Sequence, residues 1–148
     1  MAQVGLLEDN MRIAKLCATM LQFAGHQVTI YEHPLECLRA LQTPKLKYES
    51  RILAHPAREV LDTSWSLPID ALILDLHLPD IEGIEVLQYL RSQPHTRFLP
   101  LIFCTAATAT EVDHAMSLAP HAAYVEKPFK LEALTSAITK AMNAHIAT

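Results

Sequence analysis

Five side chains carry most of the chemistry open to this chain: Glu8, Asp9, Asp75, Thr105 and Lys127. Carboxylates crowded together repel, and one of them resists ionisation unless a cation sits among them. A hard, oxygen-seeking ion answers that need. Mg²⁺ typically takes one or two protein carboxylates plus phosphate oxygens and keeps several waters. An aspartate carboxylate is also a nucleophile able to form an aspartyl-phosphate. Phosphoryl transfer asks the protein mainly for positioning and for neutralisation of the equatorial oxygens. A metal ion, the Lys127 ammonium and the Thr105 hydroxyl would supply both. Brought together, these residues are the parts of a phospho-aspartate site.

An alternation of apolar runs and helical periods is what would bring them together. Gln3 to Leu7 reads as a short buried strand. From Asn10 to Ala24, the residues Ile13, Leu16, Cys17, Met20, Leu21 and Ala24 fall on one helix face, and Gly25 supplies a stop. Gln27 to Tyr31 is the second strand, and Pro34 opens a helix continued by Leu35, Leu38 and Leu41. Ile69 to Leu74 reads as a strand buried on both faces, apart from Asp70. A helix is expected from about Glu82, with Ile84, Leu87 and Leu90 on one side. Leu99 to Cys104 is the fourth strand, Thr108 to Leu118 the next helix and Ala122 to Val125 the fifth strand. Leu131, Leu134, Ile138 and Met142 mark a final amphipathic helix.

The expected class is α/β: a flavodoxin-like (βα)5 fold with a doubly wound, five-stranded parallel sheet in the order 2-1-3-4-5. No G-x-G-x-x-G appears, which argues against a dinucleotide fold. In such sheets ligands bind beyond the carboxyl ends of the strands. Glu8-Asp9, Asp75, Thr105 and Glu126-Lys127 close strands one, three, four and five. The chain reads as a single domain over 1–148, with an atypical insertion at about 43–68 between the second helix and the third strand. That insertion exceeds the ~12–15 residues beyond which structureless loops become uncommon. Pro56 could open a short helix through Leu61 within it, and no second domain is expected.

Composition narrows the function classes. The 148 residues are 51% hydrophobic and 19% charged, as in a globular domain rather than a disordered one. A net charge of -4 and no dense block of Lys and Arg argue against binding nucleic acid or an acidic membrane. The N-terminus lacks a basic region and a long apolar run, so no secretory signal is expected. No apolar stretch approaches the ~20 residues that span a bilayer. Cys17, Cys37 and Cys104 form no C-x-x-C and read as reduced, buried thiols in a cytoplasmic protein.

At the strand ends the chain resembles the receiver domains of response regulators. The family's acidic pair is similar to Glu8-Asp9 in LLEDN, and its acceptor to Asp75 in LILDLHLPDIEG, including Pro79 and Gly83. Its hydroxyl position matches Thr105 in LIFCTA, and its Lys-Pro pair matches Lys127-Pro128 in YVEKPF. The resemblance covers nearly all of the chain except 43–68. It implies a stand-alone receiver in which Asp75 takes a phosphoryl group from a histidine kinase. Asp9, Asp75 and the His77 main-chain carbonyl would bind Mg²⁺, with Glu8 acting largely through water. Lys127 would pair with the phosphoryl group, and its bond to Pro128 would be cis. Thr105 and Tyr124 would be the switch pair, reshaping the face made by the fourth helix, fifth strand and fifth helix. His77 and Ala107 stand where the family modulates the lifetime of the phosphoryl group. The usual glycine before the fifth strand is replaced in APHAAY. The partners implied are a sensor histidine kinase or a histidine phosphotransfer protein, with no nucleic acid and no membrane. The protein would be no enzyme in the ordinary sense, but a switch catalysing its own phosphorylation and dephosphorylation.

Plainer readings stand beside these. Taken alone, Glu8 and Asp9 are solvated strand-end charges, Asp75 is a cap and Tyr124 is core. The His77 ring reads as a surface group, since no second His or Cys stands at zinc-like spacing. The basic residues Lys45, Lys47, Arg51, His55 and Arg58 read as the solvated face of a folded loop, or as a docking element with Trp65 as an anchor. Among functions, a phosphorelay intermediate and a phosphorylation-independent binding module are alternatives. A dehalogenase-type phosphatase would need an acid two residues after its nucleophile, where His77 stands. A flavin carrier would need a hydroxyl- or glycine-rich loop where the chain has LLEDNMR.

Overall fold

Asn10 begins the first helix by turning its side chain back on it. Its amide oxygen accepts from the main-chain N–H of Arg12 at 3.0 Å and of Ile13 at 3.4 Å, which satisfies donors a helix start leaves bare. The helix ends at Gly25, whose φ of 97° is open to glycine at little cost. The computed structural model describes residues 2–42, 45–46, 65–78 and 82–147. In chain order the elements are β1 (Gln3–Leu7), α1 (Met11–Phe23), β2 (Gln27–Tyr31), α2 (Pro34–Gln42), β3 (Lys45–Leu46), β4 (Trp65–Ser66), β5 (Ala71–Leu74), α3 (Gly83–Ser92), β6 (Leu101–Thr105), α4 (Ala109–Leu118), β7 (Ala123–Glu126) and α5 (Leu131–Ala147).

Five strands form one parallel sheet in the order β2-β1-β5-β6-β7, which is 2-1-3-4-5 counted along its own strands. Alternation along each strand feeds two cores. Leu72 and Leu74 of β5 join Val86, Leu87 and Leu90 of α3, Val112 and Ala115 of α4 and Cys37 and Leu41 of α2 on one face. Ala71 and Ile73 join Ala14, Cys17 and Leu21 of α1 and Leu134, Ile138 and Ala141 of α5 on the other. Helices therefore cover both faces, and the doubly wound fold is the one expected.

Two details depart from expectation. The buried face of α1 is Ala14, Cys17, Ala18 and Leu21, whereas Leu16 is exposed. Small residues let this helix lie close to the sheet, so the larger Ile13 and Leu16 are left toward its rim. A short antiparallel pair also appears in the expected insertion, with Lys45 opposite Ser66 and Leu46 opposite Trp65. Residues 43–44 and 47–64 of that segment, including the helix expected at 56–61 and the basic residues other than Lys45, lie outside the described residues, as does Pro79.

Candidate functional site

Parallel strands end together, and here the ladder continues one step past them. The N–H of Glu8 donates to the Tyr31 carbonyl at 3.3 Å, that of Asp75 to Leu7 at 3.3 Å and that of Lys127 to Thr105 at 3.2 Å. The residues expected to do chemistry are thus pinned by main-chain bonds at one sheet edge.

Their side chains converge. One oxygen from each of Glu8, Asp9 and Asp75 lies within 4.8 Å of the others. Glu8 and Asp75 are buried and Asp9 is exposed. The Lys127 ammonium donates to Asp75 Oδ2 at 2.9 Å and to Glu8 Oε1. The second oxygens are held as well: Asp75 Oδ1 accepts from the His77 N–H at 3.0 Å, and Glu8 Oε2 from the Asn10 N–H at 3.2 Å. Burial pushes the Glu8 carboxyl above the usual range, outweighing the pull of Lys127 beside it. Desolvation alone would lower Lys127, but its bonds to Glu8 and Asp75 outweigh it and the net shift is upward. The lysine therefore stays charged, and Glu8 is the carboxyl whose ionised form burial penalises.

Thr105 is buried at the end of β6, and its Oγ1 accepts from the Ala107 N–H at 3.1 Å. The Lys127–Pro128 peptide is cis, as the resemblance implies. Tyr124 is 37% exposed, so the plain reading of it as core is incorrect: β7 alternates, and Tyr124 and Glu126 point outward. The His77 ring leaves the carboxylates and meets Glu111, with Nε2 2.6 Å from Oε2. Asp70 is held apart from the site, accepting from the Gln3 N–H at 2.8 Å near the start of β5. All three cysteines are free and buried, and burial lifts each thiol to about 12, which makes them inert core groups.

Two contributors escaped the sequence reading. Glu111 is one, although T-x-x-E at Thr108–Glu111 is a capping-box signature. Gly83 is the other in its physical role: a Cβ there would stand 2.5 Å from the Asp75 carbonyl oxygen. Beside the cluster, Ile13, Leu16, Ala106, Pro128 and Phe129 line an apolar recess that reaches Lys127.

A profile of the response regulator receiver domain matches residues 45–139, more than half of the sequence. The chain belongs to the response regulator receiver family. The matched span of this receiver contains Asp75, Thr105 and Lys127 and begins after Glu8 and Asp9. The receiver is 33% identical over 127 residues to the transcriptional regulatory protein CreB of Escherichia coli, covering 85% of this chain and 44% of that protein. It is 26% identical over 136 residues to a probable transcriptional regulatory protein of Picosynechococcus, covering 91% of this chain and 47% of that protein. The receiver thus spans less than half the length of either relative. Among solved structures, a bacteriophytochrome response regulator is 26% identical with a TM-score of 0.69, covering 95% of this chain and 78% of that one. The receiver domain of a Pseudomonas aeruginosa sensor histidine kinase, solved with a magnesium ion coordinated in its active-site cleft, shares the fold at 21% identity and a TM-score of 0.72. That match covers 96% of this chain and 98% of the other. Receiver domains act in two-component signalling with histidine kinases or phosphotransfer proteins. No helix among the described residues is long and apolar enough to cross a membrane.

Proposed function

We propose that Asp75 accepts a phosphoryl group from the phosphohistidine of a sensor histidine kinase or a histidine phosphotransfer protein. The observation that carries this is Lys127, whose ammonium bridges the two buried carboxylates Asp75 and Glu8. In the transfer, an Asp75 oxygen bonds to phosphorus, the histidine nitrogen–phosphorus bond breaks and the electron pair stays on the imidazole. Lys127 is placed to follow the charge onto the phosphoryl oxygens. The buried Thr105 hydroxyl is a second polar group at the same edge.

The donor set fits a divalent cation. Three carboxylates meet one ammonium, every side-chain donor is oxygen, and Mg²⁺ suits such a set. Asp9, Asp75 and the His77 carbonyl would hold it, and Glu8, already committed to Lys127 and the Asn10 N–H, would act through water. The ion supplies neutralisation of charge on the phosphoryl oxygens. The apolar recess at Ile13, Leu16 and Phe129 borders Lys127, so a donor seated there would come close to Asp75.

The output is a change of surface. A group carrying about −1.5 to −2 charge biases a two-state element. Thr105 turning toward it and Tyr124 moving inward would reshape the face of α4, β7 and α5. The receiver would act as a cytoplasmic switch that catalyses only its own phosphorylation and dephosphorylation.

The test is intact mass after incubation with Mg²⁺ and a small-molecule phosphodonor, with Asp75→Asn alongside. The expected result is a phosphate adduct on the wild type, absent from the variant and from a metal-free control. No adduct on the wild type, with metal binding confirmed, would leave a phosphorylation-independent binding module. Reverse transfer from the adduct to a phosphotransfer protein would assign a relay role.

A further inference from the structure

The Glu111 carboxylate divides its two oxygens between two loops. Oε1 closes the capping box of α4: it accepts from the Thr108 N–H at 3.1 Å and the Thr108 hydroxyl at 2.9 Å, while the Glu111 N–H donates back to Thr108 Oγ1 at 3.3 Å. Oε2 meets His77 Nε2 at 2.6 Å. Thr108 stands three residues after Thr105, and His77 two residues after Asp75. His77 is also tied inward, since its N–H donates to Asp75 Oδ1. One carboxylate on α4 is therefore joined through a single side chain to the loop that flanks the acceptor.

We propose that Glu111 is a positioning residue: through His77 it holds the loop after β5 in the geometry that presents Asp75, and through Thr108 it fixes the start of α4, so that one group couples the two. This rests on the phosphoacceptor reading for its consequence but not for its geometry. A protonated or a neutral imidazole can donate from Nε2 to the carboxylate, so the link does not depend on one charge state. The lowered Glu111 carboxyl, at about 2, agrees with a group that accepts from both sides. Both partners are largely exposed, so the coupling is modest and is expected to change rates by about two- to fivefold, the range an exposed pair supports.

Amide hydrogen exchange on the metal-free protein tests the link, with Glu111→Ala and Thr108→Ala compared. Both variants remove the cap of α4, but only Glu111→Ala also releases His77. The expected result is faster exchange at the His77 amide in Glu111→Ala and wild-type exchange there in Thr108→Ala, with α4's first turn loosened in both. Equal His77 exchange in wild type and Glu111→Ala, or equal acceleration in the two variants, overturns the proposal. The rate of adduct formation from a small phosphodonor is the second readout, expected to change in Glu111→Ala and not in Thr108→Ala. An unchanged rate in Glu111→Ala, with the wild type active, also overturns it. Should the wild type gain no phosphate, the phosphoacceptor reading fails, while the exchange result still decides the link.

Discussion

Gly83→Ala separates the demand for space at the acceptor from the demand for helix. Gly83 is the first residue of α3, and its N–H donates to the Leu76 carbonyl at 3.0 Å. By propensity alone, alanine would stabilise the helix by up to about 1 kcal/mol. The structure reverses that sign. The added Cβ would stand 2.5 Å from the Asp75 oxygen, 2.5 Å from Leu76 Cα and 2.9 Å from Leu76 C. That is roughly 1 Å inside the ~3.5–4.0 Å of a comfortable contact. All three atoms are backbone, so nothing can swing aside. Overpacking of this kind costs about 1–3 kcal/mol, and the upper end applies here, so the net loss is about 2 kcal/mol. For a domain of this length that lowers Tm by about 4–8 °C. Relief must come by moving the chain at Asp75 or α3, and displacement of a reacting group by ~1 Å can cost on the order of a hundredfold in rate. Gly25→Ala is the control. Among the described residues nothing lies within 4 Å of a Cβ added there, but its φ is 97°, so its cost is conformational, about 1 kcal/mol. Thermal melts and phosphorylation rates on both variants decide the matter. Gly83→Ala is expected to lose stability and rate together, and Gly25→Ala stability alone. A Gly83→Ala protein as stable and as fast as wild type would refute the reasoning.

Further expectations follow from the same cluster. Mg²⁺ at a hundred times its Kd should stabilise the protein by about 2.7 kcal/mol, and Asp9→Asn should shrink that shift; an identical shift in the variant would remove Asp9 from the metal set. Lys127→Ala strips Glu8 and Asp75 of their counter-charge and should destabilise the metal-free protein by about 3 kcal/mol, the low end for a broken buried pair because Asp9's side is open; urea unfolding measures it. Glu8 has a raised carboxyl, so the stability it contributes is present below its unfolded value near ~4.3 and is lost as pH rises through the raised folded value. Glu8→Gln should therefore gain on the wild type in urea melts between pH 4 and pH 7 in chelator, and a constant difference would contradict this. The His77–Glu111 pair runs both ways. Glu111, held at about 2, contributes above ~4.3 and loses its part as pH falls toward 2, while His77, raised by the Glu111 hydrogen bond, contributes below ~6.5 and loses its part as pH rises past its folded value. An NMR titration of the His77 ring should show a lower midpoint in Glu111→Ala, and an unmoved midpoint would refute the pairing.

What the sequence made legible follows from how each signal is written. Strand ends are written twice, once by the apolar run that stops and once by the polar residue that follows. The placement of Glu8, Asp75, Thr105 and Lys127 at one edge was therefore readable without coordinates. The face of α1 is legible in part: Cys17 and Leu21 are buried as expected, but periodicity weighs large apolar residues and passes over Ala14 and Ala18, which are small enough for close approach. Ile13 and Leu16 then have another use, as walls of the recess beside Lys127. Tyr124 taken alone went astray for a related reason. An aromatic in an edge strand is apolar enough to be core, and only the register of β7 shows that it faces out.

The roles of Glu111 and of Gly83, the latter legible in sequence only as a motif position, were hidden for a different reason, which bears on how the site works. Neither belongs to the cluster of opposed charges that announces the chemistry. Gly83 acts by lacking a side chain beside the acceptor's backbone, and Glu111 acts through His77. Residue types disclose reacting groups, whereas the groups that hold a loop in place are disclosed by contact alone. In this receiver the acceptor carboxylate is fixed from three directions: Lys127 on Oδ2, the His77 N–H on Oδ1 and the bare Gly83 behind its carbonyl. Only the lysine could be read from the sequence as chemistry. The other two decide whether Asp75 stands where that chemistry needs it, and each is joined to a different helix, Gly83 to α3 and His77 to α4. The backbone at Asp75 and the loop that follows it are thus each in contact with a helix on that face of the sheet.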